Sequence, residues 1–141
     1  MVKISSMKWP HKVLGTKSFT CETGTMAISL LNKENDLFDA RTLWKIKSGG
    51  VIENVLCKDH VIDISGFDKI VEDRSVVLRE EIDTWSQKWN LESNSVVLME
   101  ADEGFPQKWS VKFTELGYDL VSYCSNDVPG VAATAPFSFH P

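Results

Sequence analysis

Two tryptophans 45 residues apart, Trp44 and Trp89, constrain this chain more than any other feature of it. Each is followed two residues on by an apolar side chain, Ile46 or Leu91, so each opens a run with period two. That alternation marks a half-buried β-strand. Between the tryptophans lie three further short runs of the same kind, Val51–Leu56, His60–Ile64 and Ser75–Leu78, separated by polar turns. A repeat of this length governs the whole architecture, because each unit must pack against its copies.

The unit can be followed in both directions. Upstream, Met26–Trp44 parallels Ser75–Trp89, each an apolar strand, an acidic loop and then a Trp. Downstream, 48 residues after Trp89, the chain reads P-F-S-F-H-P, with Phe137 and Phe139 in the alternating positions. Three units, roughly 1–44, 45–89 and 90–141, account for the chain and read as a single domain without a linker. Trp44, Trp89 and Phe137 are expected to share one buried layer about an approximate three-fold axis. Ser95–Trp109 copies Ser75–Trp89 after only 20 residues. Either the third unit is shifted in register there, or the segment is an independent hairpin.

No segment sustains the helical period over three turns, although Leu37–Thr42 has room for one helical turn. Met26–Leu31 reads as a strand, as do the shorter runs Val2–Ile4, Lys12–Leu14 and Ser18–Cys21. Turn signals recur at Ser48-Gly49-Gly50, Ser65-Gly66, Ser93-Asn94, Glu103-Gly104 and Leu116-Gly117. Many short strands at such spacings predict an all-β fold, a sandwich or a closed barrel. One large aromatic per unit favours closure, since three such side chains fill one layer and closure removes the sheet edges.

A length of 141 residues suits one domain with one core. The net charge of −5, with no Lys/Arg block, argues against nucleic acid, which demands clustered cations. No apolar run reaches the roughly 18–20 residues that span a bilayer. The opening M-V-K-I-S-S-M-K-W-P lacks the apolar centre of a signal peptide, which leaves a cytosolic protein or a secreted one without its signal. Cys21, Cys57 and Cys124 fit no zinc template. They read as small buried apolar residues with no structural bridge, with one disulfide plus one free thiol as the alternative.

Catalysis finds no footing. His11, His60 and His140 stand in no recognisable catalytic spacing with Cys, Ser or carboxylates, and there is no phosphate-binding Gly loop. The acidic stretches Glu80–Asp83 and Glu100–Glu103 read as solvated loop charge. No cofactor or metal is assigned.

Q-K-W-N-L at Gln87–Leu91, preceded by V-V-L-R-E and followed by a second Q-K-W at Gln107–Trp109, resembles the Gln-x-Trp repeat of ricin-B-type lectins. G-V-I-E-N-V-L-C-K-D-H-V-I-D-I-S-G resembles that family's strand-to-strand unit. The likeness is good over Trp44–Leu91 and thin elsewhere. It implies a β-trefoil, a six-stranded barrel capped by three hairpins, usually binding carbohydrate, so the implied partner is a glycan or glycoprotein. W-S-V-K-F-T-E-L-G-Y-D-L-V-S-Y-C-S at Trp109–Ser125, with P-F-S-F after it, resembles the end of Kunitz-type protease inhibitors. Those share the trefoil fold, and a protease is then the alternative partner. A trefoil module recognising another protein is the third reading.

In the ricin-like unit a carboxylate accepts hydrogen bonds from sugar hydroxyls, an aromatic face covers the ring, and an amide completes the clamp. The resemblance puts Asp63 at the carboxylate position. Arg79 falls where the aromatic belongs, and Ser86 replaces the amide residue before Gln87. Trp85 or Phe67 is left as a substitute platform. The expected site is therefore Asp63, Arg79, Ser86 and Gln87, with the Asp63 carboxylate exposed at the rim of a shallow pocket. The plainer alternative has Asp63 fixing the turn at Ser65-Gly66. For Gln87 the alternative is a buried amide that holds neighbouring backbone groups.

Overall fold

A computed structural model of the chain describes residues 1–22, 24–33, 39–65, 74–92, 95–99, 108–115, 117–123, 131 and 136–141. The described residues are all-β, with strands joined by turns and two single-turn 3-10 helices. A first group holds β1 (Lys3–Ser6), β2 (Lys12–Thr16), β3 (Met26–Asn32) and β4 (Trp44–Lys47). A second holds β5 (Val51–Asn54), β6 (His60–Ile64), β7 (Arg74–Glu80) and β8 (Trp89–Glu92). The third holds β9 (Ser95–Leu98), β10 (Lys108–Thr114), β11 (Gly117–Tyr123) and β12 (Phe137–His140). The 3-10 turns, Ala40–Thr42 and Trp85–Gln87, precede β4 and β8.

The strand registers repeat along with the sequence pattern. Leu14 lies opposite Leu30 in the β2–β3 pair, Ile62 opposite Leu78 in β6–β7, and Trp109 opposite Ser122 in β10–β11. The second strands of these pairs meet one another in a ring: Ala27 faces Val77, Ser75 faces Val121, and Asp119 faces Ser29. Successive groups are stitched by β4–β5, β8–β9 and β12–β1. Pairing in a ring leaves β3, β7 and β11 no free edge toward one another, which suppresses edge-to-edge aggregation.

Trp44, Trp89 and Phe137 each open a four-residue strand and are buried in the same apolar cluster. Both indoles also satisfy their polar atom. Trp44 Nε1–H donates to the Leu14 carbonyl at 3.1 Å, and Trp89 Nε1–H to the Ile62 carbonyl at 3.0 Å. The third group exchanges sizes: Phe137 replaces the large indole, while Trp109 takes the register position of Leu14 and Ile62. Ser122 stands where the other pairs carry Leu30 and Leu78, and so makes room for Trp109. Trp109 then packs edge-on against Trp89 and Phe137, with ring centroids 5.3 Å and 5.8 Å apart. Core volume is conserved by exchange between strands, as close-packed interiors require. The early copy at Ser95–Trp109 is thereby explained: β9 and β10 are counterparts of β1 and β2, and Trp109 is no counterpart of Trp89.

Two expectations need correcting. Ser18–Cys21 is not a strand, because its hydroxyls close a local turn: Thr20 N–H donates to Ser18 Oγ at 3.1 Å, and Thr16 Oγ1 donates to the Ser18 carbonyl. Nor are the cysteines unbridged. Cys21 and Cys57, 36 residues apart, form a disulfide that ties the loop after β2 to the turn between β5 and β6. Cys57 is buried as expected, but Cys21 is exposed. Sequence spacing could not show this, since the strand registers bring the two together. Cys124, Phe67, Gly66, Gln107, the Ser93-Asn94 turn, Leu116 and the acidic stretch Glu100–Glu103 lie outside the described residues.

Candidate functional site

Asp63 sits near the end of β6, opposite Val77 of β7. Arg79 is two residues further along β7, opposite Val61, so its side chain leaves the same face of the sheet. Gln87 closes the 3-10 turn before Trp89, and burial of that indole draws the turn down against β6. The structure thus brings three of the four expected residues into direct contact. Gln87 Nε2–H donates to Asp63 Oδ2 at 3.0 Å, and Arg79 Nη1 lies 3.6 Å from the same oxygen. Ser86 is buried beside Gln87, and its Oγ has no hydrogen-bond partner among the described residues.

The expectation of an exposed carboxylate is corrected. The Asp63 side chain is 0% exposed, while Arg79 retains 25%. Register explains the difference. Asp63 occupies a buried position of β6, and a carboxylate there must be paired because an unpaired charge in low dielectric is costly. Its second oxygen accepts the backbone N–H of Ile64 at 2.6 Å. That bond is to the next residue along β6.

Gln87 spends its whole amide internally. Its Oε1 accepts the Ile82 N–H at 3.0 Å, and its Nε2 also donates to the Glu80 carbonyl at 3.0 Å. One side chain so fixes both the carboxylate and the exit of β7. Trp85 is half-buried against the core, and Glu81 is held by Lys47 at 2.6 Å. That contact with Glu81 raises the Lys47 pKa above its ordinary value.

The same register positions in the other groups show what is particular to this one. Gly15 and Ser110 stand where Asp63 does, and Leu31 and Tyr123 where Arg79 does. A Cβ on Gly15 would come within 2.8 Å of the Arg41 carbonyl oxygen, so the first group has no room for a carboxylate. Tyr123 supplies the aromatic that the middle group lacks, beside a serine in place of an acid. Burial pushes its hydroxyl above the ordinary tyrosine pKa. Sequence reasoning missed Tyr123 because its spacing from Arg79 becomes meaningful only through the β10–β11 register. Among the described residues, no group of three or more His, Cys, Asp or Glu side chains could hold a metal ion. No described helix is long and apolar enough to cross a membrane.

The described residues therefore define an all-β protein of three like four-strand groups, with a carboxylate–amide–guanidinium cluster in the middle one. No protein-family model matches it, and no curated protein does. Solved structures share its fold. The β-trefoil lectin of the Vibrio vulnificus hemolysin/cytolysin, with N-acetyl-D-lactosamine bound, aligns with a TM-score of 0.71 at 10% identity, over 99% of this chain and 92% of that one. An earthworm lectin C-terminal domain mutant in complex with 6'-sialyllactose gives 0.72 at 17% identity, over 99% and 96%. The earthworm R-type lectin C-half in complex with GalNAc gives 0.68 at 16% identity, over 99% and 96%. At such identities the likeness is one of fold.

Proposed function

We propose that the chain is a β-trefoil, a barrel capped by three hairpins and built as one domain, and that it binds carbohydrate without catalysing a reaction. The observation that carries this reading is the Asp63–Gln87–Arg79 cluster, a linked set of polar side chains within a fold shared with three solved lectin structures that hold sugar. Asp63, Arg79, Ser86 and Gln87 form the proposed site. Its partner is a glycan or glycoprotein, and a protease partner finds no support in these likenesses. Gly15 and Ser110 at the matching positions leave one site of this composition per chain. The Cys21–Cys57 bridge favours an oxidising compartment, where such bonds persist.

A glycan-array screen followed by calorimetry on each hit tests the proposal. Binding at one site per chain, weakened about tenfold or more by Asp63→Asn with the fold intact, is the expected result. A blank array, or affinity untouched by that substitution, rejects the assignment.

A further inference from the structure

Only one of the four site residues offers a polar group to solvent. Asp63 is fully covered, Gln87 makes three internal bonds, and Ser86 is buried. Arg79 alone reaches out, and its contact with Asp63 engages a single nitrogen, Nη1. No other hydrogen bond or ion pair among the described residues occupies the guanidinium. Glu81, two residues beyond, is itself taken by Lys47. Glu80 points to the opposite face of β7, as strand alternation requires.

We propose, resting on the carbohydrate reading above, that this site selects acidic saccharides, bearing a carboxylate or a sulfate ester, over neutral ones. A guanidinium has only donors, so its ligand must supply acceptors. A carboxylate or sulfate matches the planar fork with two parallel charge-assisted bonds, whereas a neutral hydroxyl does not. Asp63 and Gln87 are then positioning residues: the carboxylate anchors one nitrogen from beneath, and the amide anchors the carboxylate. A neutral sugar seeking the Asp63 oxygens must first displace Arg79 from an ion pair in a covered place.

Matched ligands decide the matter, titrated by calorimetry against the intact chain. Lactose is compared with 6'-sialyllactose, and N-acetyllactosamine with its 6-sulfated form, at low and high salt. The expected result is that an acidic member binds about tenfold or more tighter than its neutral parent, with the advantage shrinking at high salt. Response to the sialylated ligand alone identifies the carboxylate, and response to the sulfated one alone identifies the ester. Arg79→Lys keeps a cation over Asp63 but removes the fork. It should abolish most of the preference while the melting temperature holds. Neutral parents binding as tightly as the acidic ligands, or Arg79→Ala leaving the preference for acidic ligands intact, overturns this proposal and leaves the carbohydrate reading standing. Failure of all four ligands together with a blank glycan array overturns both.

Discussion

Gln87 and Asp63 are joined by a buried hydrogen bond of 3.0 Å across 24 residues of sequence. The bond couples the turn before Trp89 to the strand that follows the β5–β6 turn, so site and core are built by the same contacts. Gln87→Ala takes one donor from the buried Asp63 carboxylate and removes the partners of the Ile82 N–H and the Glu80 carbonyl. A loss of about 2–4 kcal/mol in urea unfolding is expected from three bonds at about 1 kcal/mol each plus desolvation. Ser86→Ala is the contrast. It removes a buried hydroxyl that has no partner, and stability should stay level or rise by up to about 1 kcal/mol.

Trp89 tests the packing. Trp89→Ala should cost about 3–5 kcal/mol as a truncated buried aromatic. Trp89→Phe forfeits the indole bond to the Ile62 carbonyl and leaves a gap that no neighbour fills. Phe is accommodated at 137 only because Trp109 supplies the missing volume, so Trp89→Phe should lower the unfolding midpoint clearly. A midpoint equal to wild type would reject the exchange of volumes between strands.

Two adjacent glycines separate conformational from steric cost. Gly49 and Gly50 have φ of 86° and 85°, a region that side chains resist. Nothing lies within 4 Å of a Cβ placed on Gly49, so Gly49→Ala should cost only about 1–2 kcal/mol. A Cβ on Gly50 collides with the Trp89 carbonyl oxygen, which is backbone and cannot turn aside. Gly50→Ala should therefore be distinctly worse in the same thermal-melt series. Equal effects would count against the close approach of this turn to β8.

The Cys21–Cys57 bridge closes a 36-residue separation between the first two groups. Such a link contributes about 2–4 kcal/mol, so reductant or Cys57→Ser should lower the melting temperature by on the order of 10 °C. Mass spectrometry after alkylation without reduction should leave both peptides unlabelled.

Asp39 gives a pH dependence. Its carboxylate caps the first 3-10 turn through the Arg41 N–H at 3.0 Å and pairs with the Arg41 guanidinium at 2.7 Å. The Arg41 side chain is the main cause that holds its pKa below the ordinary aspartate value. A depressed carboxylate stabilises the fold above the unfolded value, near pH 4, and the contribution is lost as pH falls through the folded value. Asp39→Asn should flatten the stability profile in that acid window and cost up to about 1 kcal/mol at neutral pH. An unchanged acid limb would show that the pair carries no such linkage.

Much of the architecture was written locally. The 45-residue tryptophan spacing, the period-two runs and the glycine turns were legible because burial of alternate side chains and positive φ leave marks within a few residues. Asp63, Arg79 and Gln87 were legible too, as motif positions around Q-K-W and I-D-I-S-G. Their exposure was not. Whether Asp63 faces water or Gln87 depends on which strand lies above β6 and in what register.

Composition and pattern alone determined an all-β chain with a large aromatic opening the last strand of each group. Tertiary structure decided which aromatic fills which place, since Trp109 and Ser122 acquire their meaning only by facing each other across β10 and β11. It also decided the Cys21–Cys57 pairing and the burial of Asp63 beneath Arg79. The reason is physical. Periodicity is a property of neighbours along the chain, whereas volume, desolvation and bond partners are properties of neighbours in space.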